Sequence, residues 1–339
     1  MKEKTEYQFI SNIESIDAEK WQKLLIGSEN ASIFQSLETF QFWTKIENHT
    51  PFVYGLEKAS GELLALCTGV IISNGGQVKS ALTRRAIIFG GPIFNKNIKD
   101  IALSYYLKEM NRHLSSKAIY AESRNLSDYS KYRYIFEENG WNYISHLNFH
   151  VDCSDAAQMK KRVSKSKIRQ INKSLKTGAE IIEAENIEQV RDFYNILENL
   201  YKSKIKTPLP QWSFFKVFYE TTLGKYLLIR HEERIVGGIM CPILPNMCIY
   251  EWYVCGLDGE IKDIYPSILA TWSALQYAAE NNIPAFDFMG AGKPGQDYGV
   301  REFKSKFGGE LVEFGRFHNV YKPLSYRIGV LGVKLLKKI

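Results

Sequence analysis

The chain has 339 residues, 45% hydrophobic and 24% charged, an ordinary globular composition that excludes wholesale disorder and supplies apolar material for two cores. Its net charge of +7, from 44 basic against 37 acidic residues, is modest for this length and suits an anionic partner without requiring one. The opening MKEKTEYQFI has no apolar stretch of signal-peptide length, and nowhere do about 18 uncharged apolar residues run together, so a cytoplasmic protein is expected.

In chain order, a strand at about Phe52 to Glu57 turns at Ala59-Ser60-Gly61 into a strand over Leu63 to Ile72. A strand near Ala86 to Phe89 follows, then a helix from about Asp100 to Leu114 and a strand over Ala118 to Glu122. From Lys160 to Lys176 the chain reads KKRVSKSKIRQINKSLK, with eight basic residues and no acid, which predicts a basic helix with its charges spread all round.

The first pattern then returns. Tyr226 to Arg230 turns at His231-Glu232-Glu233 into Ile235 to Leu244, followed by a strand Cys248 to Val254, a helix Pro266 to Asn281 and a strand Ala285 to Phe288. Pro323 starts a closing helix whose Ile328, Leu331, Leu335 and Ile339 share one face. Hairpin, strand, helix, strand, twice over, predicts a duplicated α/β unit with mixed sheets flanked by helices. The division expected is 1–150 and 151–320, with the helix 321–339 packing back on the first domain.

Several motifs are weaker than they look. Cys67, Cys153, Cys241, Cys248 and Cys255 form no CxxC pair, and the six histidines show no HxH spacing, so no protein-held metal is expected. Gly290-Ala-Gly292-Lys-Pro-Gly295 satisfies GxGxxG, but Pro294 and the turn-like Gln296-Asp297-Tyr298-Gly299 interrupt the helix that a dinucleotide site needs. What remains is a backbone-rich loop at the end of a strand, where a substrate can approach closely. Neither half holds a good copy of the Q/R-x-x-G-x-G/A turn that grips coenzyme A pyrophosphate. The basic helix fits RNA, a phosphate-rich substrate or plain solvation. The closing helix, ending Lys334-Leu-Leu-Lys337-Lys338-Ile339, fits packing on the protein or contact with an anionic membrane.

The most specific segment is Phe286-Asp287-Phe288-Met289-Gly290, followed by Gly299-Val300-Arg301-Glu302-Phe303-Lys304-Ser305-Lys306-Phe307-Gly308-Gly309. It resembles the C-terminal signature of the Fem family of peptidoglycan aminoacyltransferases: an FDF-like strand, a glycine loop, then Gly-x-x-x-Phe-Lys-x-x-Phe-Gly. Phe34-Gln35-Ser36 with Trp43 and Lys45, Gly91-Pro92, Lys167-Ile168-Arg169 and Tyr250-Glu251-Trp252-Tyr253 extend the resemblance over most of the chain.

The resemblance implies two tandem acetyltransferase-like (GNAT) domains and a transferase that joins an aminoacyl or acyl group to an amine of a cell-wall precursor or related glycoconjugate. It implies Lys304 as the catalytic lysine with Phe303 beside it, Lys45 as a precursor-phosphate contact and Tyr253 in the acceptor region. No tightly bound cofactor is implied. The co-substrate is an activated acyl donor, aminoacyl-tRNA or acyl-CoA, and partners include the acceptor, tRNA and the inner membrane leaflet as a peripheral contact.

The chemistry fits these residue types. An amine attacking an acyl ester passes through a tetrahedral oxyanion, which a cation such as Lys304 in a dry cleft stabilises. Glu251 and Asp287 are the proton acceptors nearest in the motifs, and Tyr250, Tyr298 and Arg301 join Tyr253 and Phe303 as candidate pocket residues. The chain departs from many relatives at Gly90-Gly91-Pro92 and Asn95, where Arg-Gly-Pro and an aspartate are usual, and it lacks a long helical hairpin in its second half. Two rival readings stay open: a coenzyme A-dependent transferase acting on surface polysaccharide or lipid, and a non-catalytic RNA-binding or scaffold protein.

Overall fold

The computed structural model describes residues 6–73, 83–296 and 298–336, so Asp297, Lys337, Lys338 and Ile339 of the sequence reading lie outside the described residues. The chain gathers into two units, Met1–Ser145 with Phe314–Ile339, and His146–Glu313.

In the first unit the strands lie in the order Tyr7–Ile10, His49–Lys58, Leu63–Ile72, Arg85–Gly90, Tyr120–Asn125, Arg316–Val320 and Asn142–Ile144. Ile93–Phe94 adds to Leu63–Ile72. Arg85–Gly90 and Tyr120–Asn125 run parallel, which requires a crossover, and the helix Asp100–Lys117 makes it. Alternation along the strands turns Ala86, Ile88, Ala121 and Phe317 onto that helix's Leu103, Tyr106, Leu107 and Met110, forming the core.

The second unit repeats this plan in the order Glu310–Glu313, Leu147–Asp152, Ala285–Asp287, Cys248–Tyr250, Arg234–Leu244, Gly224–His231 and Glu180–Glu183. Here the parallel pair is Cys248–Tyr250 with Ala285–Asp287, and the crossover helix Pro266–Glu280 buries Ile268, Leu269, Leu275 and Ala278 against Val151, Ile249 and Phe286.

Four features differ from the sequence reading. The strand expected over Cys248 to Val254 is interrupted: Tyr253–Gly256 resumes on Arg234–Leu244, while Glu251 N–H donates to Asp287 O at 2.9 Å and Trp252 N–H to Met240 O at 3.0 Å. The basic segment is two helices, Ala156–Arg162 and Lys165–Lys176, because Ser164 stops one and caps the other through Lys167 N at 3.4 Å. The strand read as Ala118 to Glu122 is Tyr120–Asn125. Finally, the limits 150 and 320 fall inside or at the end of strands. Leu147–Asp152 belongs wholly to the second sheet, and Arg316–Val320 lies within the first, between Tyr120–Asn125 and Asn142–Ile144.

Candidate active site

The polar centre of the second unit forms where the strand Ala285–Asp287 ends. Asp287 is 1% exposed, so its carboxylate depends on protein groups rather than solvent. Oδ1 accepts from Asn148 Nδ2 at 2.8 Å and from Met289 N at 2.5 Å, and Oδ2 lies 2.8 Å from His150 Nε2. Asn148 Oδ1 in turn accepts from Gly290 N at 2.7 Å. These bonds hold a sharp turn in which Met289 takes φ 55° and Gly290 φ 136°, a left-handed path that a methionine adopts only when its surroundings impose it.

The turn aims its carbonyls at Lys304. From the short helix Gly299–Ser305 its ammonium donates to Phe288 O at 2.7 Å and Gly290 O at 2.9 Å, and it pairs with Glu251 Oε1 at 3.0 Å. All three donors of the ammonium are thus engaged. Both ions are buried, Lys304 at 8% and Glu251 at 6% exposure, and Thr271 Oγ1 donates to Glu251 Oε2 at 3.5 Å. The broken strand explains how Glu251 reaches this point. Its backbone follows Asp287 rather than the neighbouring Arg234–Leu244, which places the side chain beside the loop. Burial pushes the Glu251 carboxyl above its ordinary value, with Lys304 opposing the rise.

Arg301 binds the rest of the loop. Its Nε donates to Ala291 O at 2.8 Å, one terminal nitrogen to Gln296 O at 3.0 Å and the other to Lys293 O. Its role in this structure is to shape the glycine loop, and the GxGxxG match is a loop with no helix opening at Gly295. Phe303 is half-buried on the core with Lys167 Nζ 4.3 Å above its ring. Tyr253 packs among Tyr201, Phe214, Phe215 and Trp252, and Tyr250 is buried. Tyr298 is exposed, with its ring edge 3.0 Å from where a Cβ on Gly292 would stand. Lys45 belongs to the first unit, exposed at the C-terminal end of the helix Leu37–Thr44.

Two participants were not read from the sequence. His150 sits directly opposite Asp287 in the antiparallel pair. Burial lowers its pKa, but Asp287, with Glu310 behind it, more than reverses this and holds it above the ordinary value. Tyr201 begins a π-helical turn, Tyr201–Ile205, at the end of the helix Ile187–Leu200 and faces Tyr253 at 6.4 Å. Only the π-turn marks it, and periodicity does not reveal such a turn.

The five cysteines are free, and among the described residues no group of three or more His, Cys, Asp or Glu is placed to hold a metal ion. No described helix is long and apolar enough to cross a membrane.

Residues 238–331 match the model of the FemAB family. No curated protein matches the chain in sequence. Among solved structures the fold is similar to FemX, with TM-score 0.73 and 11% identity over 95% of this chain and 99% of that one. It is also similar to L-PGS from Bacillus licheniformis, with TM-score 0.57 and 13% identity over 93% and 96% of the two chains. A tandem GNAT protein from the clavulanic acid biosynthesis pathway aligns with TM-score 0.57 and 7% identity over 93% and 99%. The FemAB match, carried by the segment that holds Lys304 and its loop, and the FemX fold on two GNAT-like units together bear out the resemblance to the Fem acyltransferases read from the sequence.

Proposed function

We propose that the chain transfers an aminoacyl or acyl group from an activated ester to an amine of a peptidoglycan precursor or related glycoconjugate, with Lys304 at the reacting carbonyl. The observation that carries this reading is the buried ammonium held between Glu251 and the carbonyls of Phe288 and Gly290. An acyl carbonyl that displaces Gly290 O receives a charge-assisted hydrogen bond, which strengthens as the oxygen becomes an oxyanion. The amine forms the new C–N bond, the ester C–O bond breaks, and the donor's alcohol leaves. The proton lost by the amine goes to Glu251, whose raised pKa makes it a better acceptor than an ordinary carboxylate, and passes from Glu251 to the departing oxygen. Asp287 acts as a positioning residue for the turn, since Asn148, Met289 and His150 already occupy it. Tyr253 and Tyr298 supply aromatic surface for the acceptor, and Lys45 a cation for its phosphate.

An ester donor such as aminoacyl-tRNA is favoured over coenzyme A by the start of the crossover helix. A pyrophosphate would need the N–H groups there, yet Asp258 Oδ1 accepts from Ser267 N at 3.3 Å. Gly256 packs so closely that a Cβ on it would stand 2.4 Å from the same nitrogen.

Because loss of Lys304 alone would leave Glu251 a buried charge without its partner, the test uses Lys304→Met with Glu251→Gln. With aminoacyl-tRNA and a UDP-linked muropeptide, kcat should fall by about 10²–10³ with KM little changed. Full turnover by the folded double variant would remove Lys304 from the mechanism. A rise in Tm with acetyl-CoA alone would transfer the assignment to the coenzyme A branch.

A further inference from the structure

A cleft of about 620 Å³ is lined by residues of the helices Ala156–Arg162 and Lys165–Lys176 and of the link between them. Its charged lining is Lys160, Lys161, Lys165, Arg169, Lys173 and Lys176, with no carboxylate among the lining residues. Helical geometry gathers the last four, since positions 165, 169, 173 and 176 recur every three or four residues and share one face. The other basic side chains of the segment are used elsewhere, Arg162 on Asp152 and Lys167 over the Phe303 ring. The charge that the sequence spreads round one helix is therefore concentrated on one surface, contrary to that reading.

Only Lys173 of the six has an acidic partner among the described residues, Asp263 at 2.6 Å. Like charges three and four residues apart weaken a helix, so an external anion would relieve a repulsion that the protein leaves largely unanswered. The lining identifies the kind of anion. No aromatic side chain is present for bases to stack on, and five of the six cations are lysines, which bind phosphate as point charges and lack the planar fork that reads base edges. Asn172, Val163 and Ile168 complete the lining, and Leu175 on the same helix is exposed at 42%, offering apolar contact beside the charges. Clusters of about four to eight Lys and Arg on an amphipathic helix are the pattern that binds anionic headgroups.

We propose that this cleft and its rim dock the phosphodiester headgroups of an anionic lipid surface. The assignment is independent of the transfer reading above.

Lys165, Arg169 and Lys176 are exposed, so Lys165→Glu/Arg169→Glu/Lys176→Glu should fold as the natural chain does. The natural chain should co-sediment with phosphatidylcholine vesicles only when phosphatidylglycerol is included, and the triple variant should bind them at least about tenfold more weakly. Failure of the natural chain to bind, or undiminished binding by the variant, overturns the proposal. So does charge-dependent binding of single-stranded RNA without vesicle binding, which would assign the surface to nucleic acid. Loss of vesicle binding in inorganic phosphate, at an ionic strength where chloride has no effect, would assign the cleft to free phosphate and also overturn it.

Discussion

At the scale of single residues, the Lys304–Glu251 pair bears on stability as well as on the proposed chemistry. A buried pair contributes little net stability compared with apolar residues of similar size, but removing one partner strands the other charge. Lys304→Met should therefore lower the urea unfolding free energy by about 3–5 kcal/mol, while Lys304→Met/Glu251→Gln should recover most of it. Equal losses in the single and double variants would show that the two ions are not coupled. The sequence motif exposed Lys304 because its neighbours Phe303 and Phe307 are local. Its saturation was hidden, because two acceptors are backbone carbonyls whose direction depends on the Met289–Gly290 turn. His150 was missed for a similar reason. Its partner Asp287 comes from a distant strand, and only antiparallel register sets them face to face.

At the scale of elements, the helix Gly299–Ser305 ends in a turn that must leave room for its neighbour. Gly308 has φ 79°, and a Cβ there would stand 2.5 Å from Arg162 O, a backbone atom that cannot swing aside. Gly308→Ala should cost about 1–3 kcal/mol from the backbone alone, and more from the contact, read as a fall in the urea midpoint with unchanged slope. A midpoint equal to that of the natural chain would show that this junction yields. The second glycine of the Phe-Gly-Gly motif is Gly309, and its φ is not in the left-handed region, so the two are not equivalent. Repeated strand and helix patterns were legible because they follow periods of two and 3.6. The interruption at Glu251 and the stop at Ser164 were not, since each depends on which backbone group a residue meets in three dimensions.

At the scale of the whole molecule, each unit's sheet is completed by a strand that the chain supplies out of turn. Arg316–Val320 reaches the first sheet only after the second unit has been built, and it contributes Phe317, fully buried and stacked on Phe136 at 4.2 Å. Ending the chain at Glu313 should therefore remove an interior strand and leave two unpaired edges in the first unit, while the second keeps all its strands. Two-stage unfolding with the first unit's transition lost, and its amides exchanging rapidly, is the expected outcome. An undiminished first transition would show that the strand is dispensable.

The sequence by itself determined the α/β class, the duplicated order of elements and the motif containing Lys304, because hydrophobic period and short residue strings are local properties. Tertiary structure alone decided which unit owns Leu147–Asp152 and Arg316–Val320, how Glu251 meets Lys304, and where six cations converge. Those outcomes depend on strand register, buried backbone polarity and helix facing, which arise only when distant segments pack.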